Sequence, residues 1–183
     1  MIIWNRLRYV LSPQFDIYEH LSTVVRGAVA DIGSGTGFGT HLFTVNAQSV
    51  VGYEIDEDAL RFAQRVFPVR RLAFRFGDIL DGIQEGPYDF ITMIDVIEHI
   101  KYDQRALKNV KDMLKPTGQL ILSTPNRLSR YRKSENHVKE YGSKELESLL
   151  NKVFANVSMR DHKMEPLASQ YQNPLLAVCR GGV

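Results

Sequence analysis

One cysteine, Cys179, is all the thiol this 183-residue chain carries, so no internal disulfide can brace it and a reducing compartment is expected. Long apolar runs are missing as well. No segment approaches the roughly 18 apolar residues of a membrane span. The opening "MIIWNRLRYVLSP" is broken by Asn5, Arg6 and Arg8 before it reaches the length of a secretory core. Excess charge of one sign is absent: 23 Lys and Arg against 21 Asp and Glu leave +2, too little to draw in nucleic acid or membrane by bulk field. Internal repeats, low-complexity tracts and linkers are lacking. Together these absences exclude a disulfide scaffold, a helical membrane protein and a solenoid. They leave the expectation of one cytoplasmic domain over 1–183. A content of 44% hydrophobic and 24% charged residues suits a globular core, and a chain of this length buries about 70% of its unfolded surface.

What is present is an alternation. Apolar, β-branched runs that read as buried strands are "AVADI" (28–32), "SVVGYEI" (49–55), "RLAFRFG" (71–77), "YDFITMI" (88–94) and "GQLILST" (118–124). Helical spacing fills the gaps. "PQFDIYEHLSTVV" is a first helix, and "DEDALRFAQRVF" shows one face of Leu60, Ala63, Val66 and Phe67. "YDQRALKNVKDMLKP" repeats the pattern with Ala106, Leu107, Val110 and Leu114, stopped by Pro116 and Gly118. "GSKELESLLNKV" has Ser143 as its expected N-cap. Residues 155–162 and 174–180 read as a closing strand pair. Repeated β-α-β units require a largely parallel sheet with helices on both faces, an α/β doubly wound architecture. The connection 125–142 is too long for an ordinary strand-to-helix loop and is a functional suspect, with residues 1–26 as a helical lid. Five arginines in 61–75, and six Lys or Arg in 126–144 against Glu135 and Glu140, suit either phosphate or a solvated surface.

"VADIGSGTGFGT", residues 29–40, packs glycine at 33, 35, 37 and 39 directly after a strand. Such a turn opening a helix lets a nucleotide-like ligand lie on bare backbone; a tight turn without ligand needs fewer glycines. Glu54, at the end of the next strand, can take ribose hydroxyls through strong charged-acceptor bonds. A dinucleotide fingerprint requires a third glycine where Phe38 stands. With Asp31 ahead of Gly33, Gly35 and Gly37, followed by "FGDI" (76–79), "YDFITMIDVIEHI" (88–100) and "LKPTGQLILSTPN" (114–126), the chain resembles the class I S-adenosylmethionine-dependent methyltransferases from Val29 to its end. The resemblance implies a Rossmann-like sheet of seven strands, mostly parallel with a reversed last strand. It implies S-adenosyl-L-methionine as cofactor and S-adenosyl-L-homocysteine as product, held by Asp31, Gly33, Ser34, Gly35, Gly37, Glu54, Ile55, Asp78, Ile79 and Asp95. The glycines are expected to make room for its methionyl and ribose parts, and Tyr18 is a candidate contact from the lid helix.

Transfer to an oxygen also needs a proton acceptor or a metal. Asp95, Glu98 and His99 stand at i, i+3 and i+4, one face of a helical turn if the turn starts at Asp95. His137, in the long loop, opens at the same sheet edge. Two carboxylates and two imidazoles can hold a divalent metal of several kinds. The competing explanation is a capping box, Asp95 capping the turn and Glu98 reaching back. The stretch is similar to the Glu-x-x-Glu-His of ubiquinone-pathway O-methyltransferases and of enzymes that 2′-O-methylate small RNAs, with Asp95 replacing the first glutamate. The expected activity is O-methylation of a small-molecule acceptor, with His99 or His137 as proton acceptor and Asp95 lining the pocket. Its alternatives are metal-assisted RNA 2′-O-methylation, with Arg127, Arg130, Arg132 and Lys133 on phosphates, and a catalytically silent cofactor-binding module. A dinucleotide oxidoreductase is the weakest alternative, and no membrane partner is expected.

Overall fold

The computed structural model describes residues 13–129 and 134–181. Tyr9 and the remainder of the expected lid before residue 13 lie outside the described residues, as do Arg130, Arg132 and Lys133. The apolar runs form strands β1 (Ala28–Ile32), β2 (Ser49–Glu54), β3 (Leu72–Phe76), β4 (Tyr88–Ile94), β5 (Leu114–Thr124), β6 (Asn156–Arg160) and β7 (Leu175–Arg180). They pair into one seven-stranded sheet in the order β3-β2-β1-β4-β5-β7-β6. The first five strands pair in parallel, and β7 runs antiparallel to both β5 and β6. This is the expected doubly wound α/β sheet with its reversed last strand.

The helices are α1 (Pro13–Val24), α2 (Phe38–Leu42), α3 (Glu57–Val66), α4 (Asp103–Asp112) and α5 (Ser143–Leu150). Side chains alternate across a strand, so β5 sends Leu120 and Leu122 to one face and Ile121 to the other. The first face packs on Ala106, Leu107 and Val110 of α4 and on Leu146, Leu149 and Leu150 of α5. The second packs on Ile17 and Leu21 of α1 and on Phe43. Both faces are thus apolar, which is why these strands read as continuous hydrophobic runs.

Two local expectations are corrected. Helix α4 ends at Asp112, short of Leu114 and Pro116, because Leu114 already pairs with Tyr88 of β4. Gly142, not Ser143, is the N-cap of α5, in an extended conformation with Ser143 as the first helical residue. The strand order switches between β1 and β4, and ligands of such sheets bind at the carboxyl ends of the strands around that point. The long connection 125–142 returns to the same edge: Asn126 bridges Tyr141, and the Asn126 amide donates to the Gln170 and Gln172 carbonyls at 2.8 and 2.6 Å.

Candidate active site

At the switch point lies a cavity of about 530 Å³ lined by Gly33, Glu54, Ile55, Asp78, Ile79 and Asp95, with Val96, His99 and Ile100 among the other wall residues. A larger hollow, about 730 Å³ beside Arg160 and Arg180 at the opposite end of the sheet, contains none of the expected site residues.

The glycine turn is sewn to β2. Gly33 and Ser34 N–H donate to the Tyr53 carbonyl at 2.8 and 3.0 Å, and Gly35 N–H donates to Glu54 Oε2 at 2.7 Å. Glu54 Oε1 accepts from Ile55 and Asp56 N–H, both at 2.9 Å. A carboxylate offers about four acceptor sites; main-chain bonds occupy three, and the fourth is on Oε2. The glycines also shape the turn itself. Gly37 has φ +82°, and a Cβ there would sit 2.5 Å from the Phe74 ring; at Gly33 it would sit 2.5 Å from Val96. Protein side chains therefore fill the space of two of these glycines, and only Gly35 faces open volume.

Asp31 lies beneath the turn, off the cavity wall and fully buried. Thr40 and Thr92 hydroxyls donate to it at 2.6 Å and Tyr18 at 3.1 Å. Burial pushes its carboxyl up to about 6 against the pull of these donors. Tyr18 accordingly buttresses Asp31 from α1. The Ser34 hydroxyl is buried without a hydrogen-bond partner among the described residues. On the cavity wall, Asp78 accepts from Leu80 N–H at 2.8 Å, and Ile55 stands 60% exposed at the rim, an aliphatic surface free to cover a flat ring.

After β4 the chain does not enter the expected helical face. Asp95 has φ +54°, and a short 3₁₀ turn covers Ile97–His99 with Val96 in the cap position. The capping box is absent, since Asp95 accepts instead from Gln14 at 2.7 Å and from Ser123 at 2.8 Å. Glu98 turns inward, fully buried, with Oε2 accepting from Thr124 at 2.8 Å and Oε1 without a partner among the described residues. Burial, reinforced by the nearby Asp95 charge, pushes its carboxyl up to about 8.

The long loop supplies the rest. Val138 and Lys139 N–H donate to the Glu98 carbonyl at 2.9 and 3.0 Å, clamping the loop over the 3₁₀ turn. This brings His137 against His99, ring centroids 5.0 Å apart. One ligating atom from each of Glu98, His99 and His137 falls within 4.8 Å of the others. Asp95, expected in the same cluster, is outside it. His99 Nδ1 lies 3.0 Å from the Asn136 carbonyl, and His137 Nδ1 lies 2.8 Å from Glu140 Oε1. Thr124 and Glu140 were not singled out in the sequence. Glu140, three residues beyond His137, had only that spacing as a signal. Of the basic groups, Lys139 pairs with Asp103 at 3.0 Å, Arg127 with Glu145 at 3.1 Å, and Arg61 with Glu57 and Asp58.

Comparison with known proteins bears on this geometry. Residues 6–159 match a family described as a methyltransferase domain. Over 115 residues the chain is 27% identical to a "Probable S-adenosylmethionine-dependent methyltransferase" of Mycolicibacterium smegmatis, covering 62% of this chain and 44% of that one. A ubiquinone biosynthesis O-methyltransferase of Coxiella burnetii is 27% identical over 126 residues, 67% of this chain and 50% of that one. The chain spans about half the length of these relatives. A solved TehB-like SAM-dependent methyltransferase from Corynebacterium glutamicum superposes with a TM-score of 0.76 at 18% identity, over 97% of this chain and 94% of that one. At that identity the likeness concerns the fold.

Proposed function

Given that the chain belongs to the methyltransferase domain family over residues 6–159, we propose that it transfers a methyl group from S-adenosylmethionine to an oxygen of a small-molecule acceptor. The single observation that carries this is a continuous wall. Gly33, Glu54, Ile55, Asp78, Ile79 and His99 all line the same cavity. The cofactor supplies an electrophilic sulfonium methyl. Everything else falls to side chains that position it and move a proton.

Glu54 offers its remaining acceptor site to a ribose hydroxyl. Asp78 is placed for the adenine amino group, with Ile55 and Ile79 covering the ring. The Ser34 hydroxyl is buried, without a partner among the described residues, and is not on the cavity wall. His99 is the proton acceptor: a carbonyl can only accept, so its Nδ1–H is donated to Asn136 and its lone pair is on Nε2. Asp95, held by Gln14 and Ser123, lines the pocket without taking the proton.

A specific observation also favours metal-assisted transfer. Glu98 has a buried Oε1 without a partner among the described residues, its carboxylate lies near two imidazoles, and one carboxylate with two histidines suits a divalent transition ion. A cation there supplies Lewis acidity that eases loss of the acceptor hydroxyl proton. Glu98, His99 and His137 would hold it, and Glu98 must first give up its proton, so uptake releases protons. RNA as acceptor is less favoured, because Lys139 and Arg127 already face carboxylates.

The test is calorimetry with S-adenosylmethionine, followed by methyl transfer to a panel of phenolic and aliphatic hydroxyl acceptors, with and without chelator. Micromolar binding and O-methyl product are expected, and His99→Ala is expected to lower turnover by about 10²-fold or more. No binding heat from well-folded protein would end the proposal. Turnover indifferent to chelator, in protein free of metal, would end its metal-assisted form.

A further inference from the structure

The proposed chemistry needs two imidazoles with defined tautomers, and the loop that carries His137 brings its own means of setting one. His137 and Glu140 sit one helical turn apart in sequence, with side chains each only 7% exposed, joined at 2.8 Å through Nδ1 and Oε1. An ionised carboxylate can only accept, so the proton of that bond belongs to His137 Nδ1. A neutral His137 then carries its lone pair on Nε2. The same polarity holds at His99, whose Nδ1–H goes to the Asn136 carbonyl, one residue before His137. Two acceptors within five residues of one loop, Asn136 and Glu140, thus address the Nδ1 atoms of both rings. The loop itself is held in place by the Glu98 carbonyl, which accepts from Val138 and Lys139.

We propose that Glu140 is the positioning residue of this site: its carboxylate fixes His137, which converges with Glu98 and His99, in the Nδ1–H tautomer. Outer carboxylates of this kind orient imidazoles and raise their basicity, and their removal weakens metal affinity by about 10- to 100-fold. Placement argues against a purely structural ion pair. Glu140 lies in a connecting loop, its partner is one of the three residues that converge at the site, and its negative charge is felt by Glu98. This rests on the methyl-transfer proposal only for the use of the site, not for the tautomer.

The experiment keeps the two apart. Long-range ¹⁵N–¹H NMR of the metal-free full chain at pH 8.5 reads which imidazole nitrogen is protonated. His137 is expected as Nδ1–H. A proton on Nε2, or a doubly protonated ring, overturns the proposal without any variant. Glu140→Ala is expected to shift His137 toward the Nε2–H form, whereas Glu140→Gln, whose amide oxygen still accepts, restores Nδ1–H. Titration with Co²⁺ alone, followed by its visible absorption, should show affinity reduced about 10- to 100-fold in Glu140→Ala and largely recovered in Glu140→Gln. If both variants melt with wild type and His137 keeps its tautomer in each, Glu140 does not set it. None of these readouts depends on S-adenosylmethionine, so failure of methyl transfer and failure of this assignment give different results.

Discussion

Glu98 is where single-residue chemistry departs furthest from solution behaviour. Its carboxyl is pushed up to about 8, from an ordinary 4.5, by burial and by neighbouring negative charge. The folded state holds that proton more tightly than the unfolded chain. The stability contributed by neutral Glu98 is therefore fully present below about pH 4.5 and lost as pH rises through 8. Glu98→Gln removes the titration, so across pH 5 to 9 its stability should gain on wild type by roughly 4 kcal/mol. Denaturant midpoints at both pH values check this, and a constant gap would show that Glu98 is not buried as a neutral acid. Glu54 is tested by affinity. Glu54→Ala frees three main-chain donors, Gly35 of the glycine turn and Ile55 and Asp56 after β2, and removes the proposed ribose acceptor, so calorimetry should find cofactor binding weakened at least about tenfold. An unchanged Kd would remove Glu54 from the site.

At the scale of elements, the strand–turn–helix unit of β1 and α2 holds two glycines whose missing Cβ is required by packing, Gly33 and Gly37, and one, Gly35, with open space beside it. Gly37→Ala meets both a φ of +82° and the Phe74 ring, and should destabilise by roughly 2–4 kcal/mol. Shortening the neighbour in Gly37→Ala/Phe74→Leu should recover part of the loss. Gly35→Ala meets no atom within 4 Å; the strain of its positive φ costs about 1 kcal/mol, and its main effect is expected on S-adenosylmethionine affinity. Thermal melts and calorimetry on the pair decide the matter. Equal melting of Gly37→Ala and wild type would return Gly37 to a ligand role. The turn after β4 carries the complementary lesson. "DVIEHI" fits an i, i+3, i+4 helical face equally well as a pattern, but Asp95 at φ +54° diverts the chain, and a 3₁₀ turn sends Glu98 inward.

For the molecule as a whole, one ligand should tighten everything at the switch point together, because the cavity is built from the ends of β1 and β2 and the segments that follow β1, β2, β3 and β4. S-adenosylhomocysteine at 100 times its Kd stabilises by about 2.7 kcal/mol if it binds only the folded chain. For a domain of this size that raises Tm by roughly 5–10 °C. A scanning melt that ignores the ligand would mean that the cavity does not bind it.

The strands, the order of β-α-β units and the glycine–acid pairing of 33–37 with Glu54 were all legible in the chain. Each is written locally, in apolar runs, in 3.6-residue spacing, or in a turn that only glycine tolerates. The grouping of Glu98, His99 and His137 was expected as well, though with Asp95 as a fourth member; the way its members meet was not legible. Its members are separated by 38 residues, and their meeting depends on main-chain bonds from Val138 and Lys139 to the Glu98 carbonyl. The same holds for Asp31, whose motif placed it by the cofactor but whose three hydroxyl donors come from α1, β4 and the residues after the turn. Local sequence determined the sheet and the floor of the site. Only tertiary structure decided which buried acid went unpaired and which histidines would face it, because desolvation and tautomer are set by neighbours that spacing along the chain does not reveal.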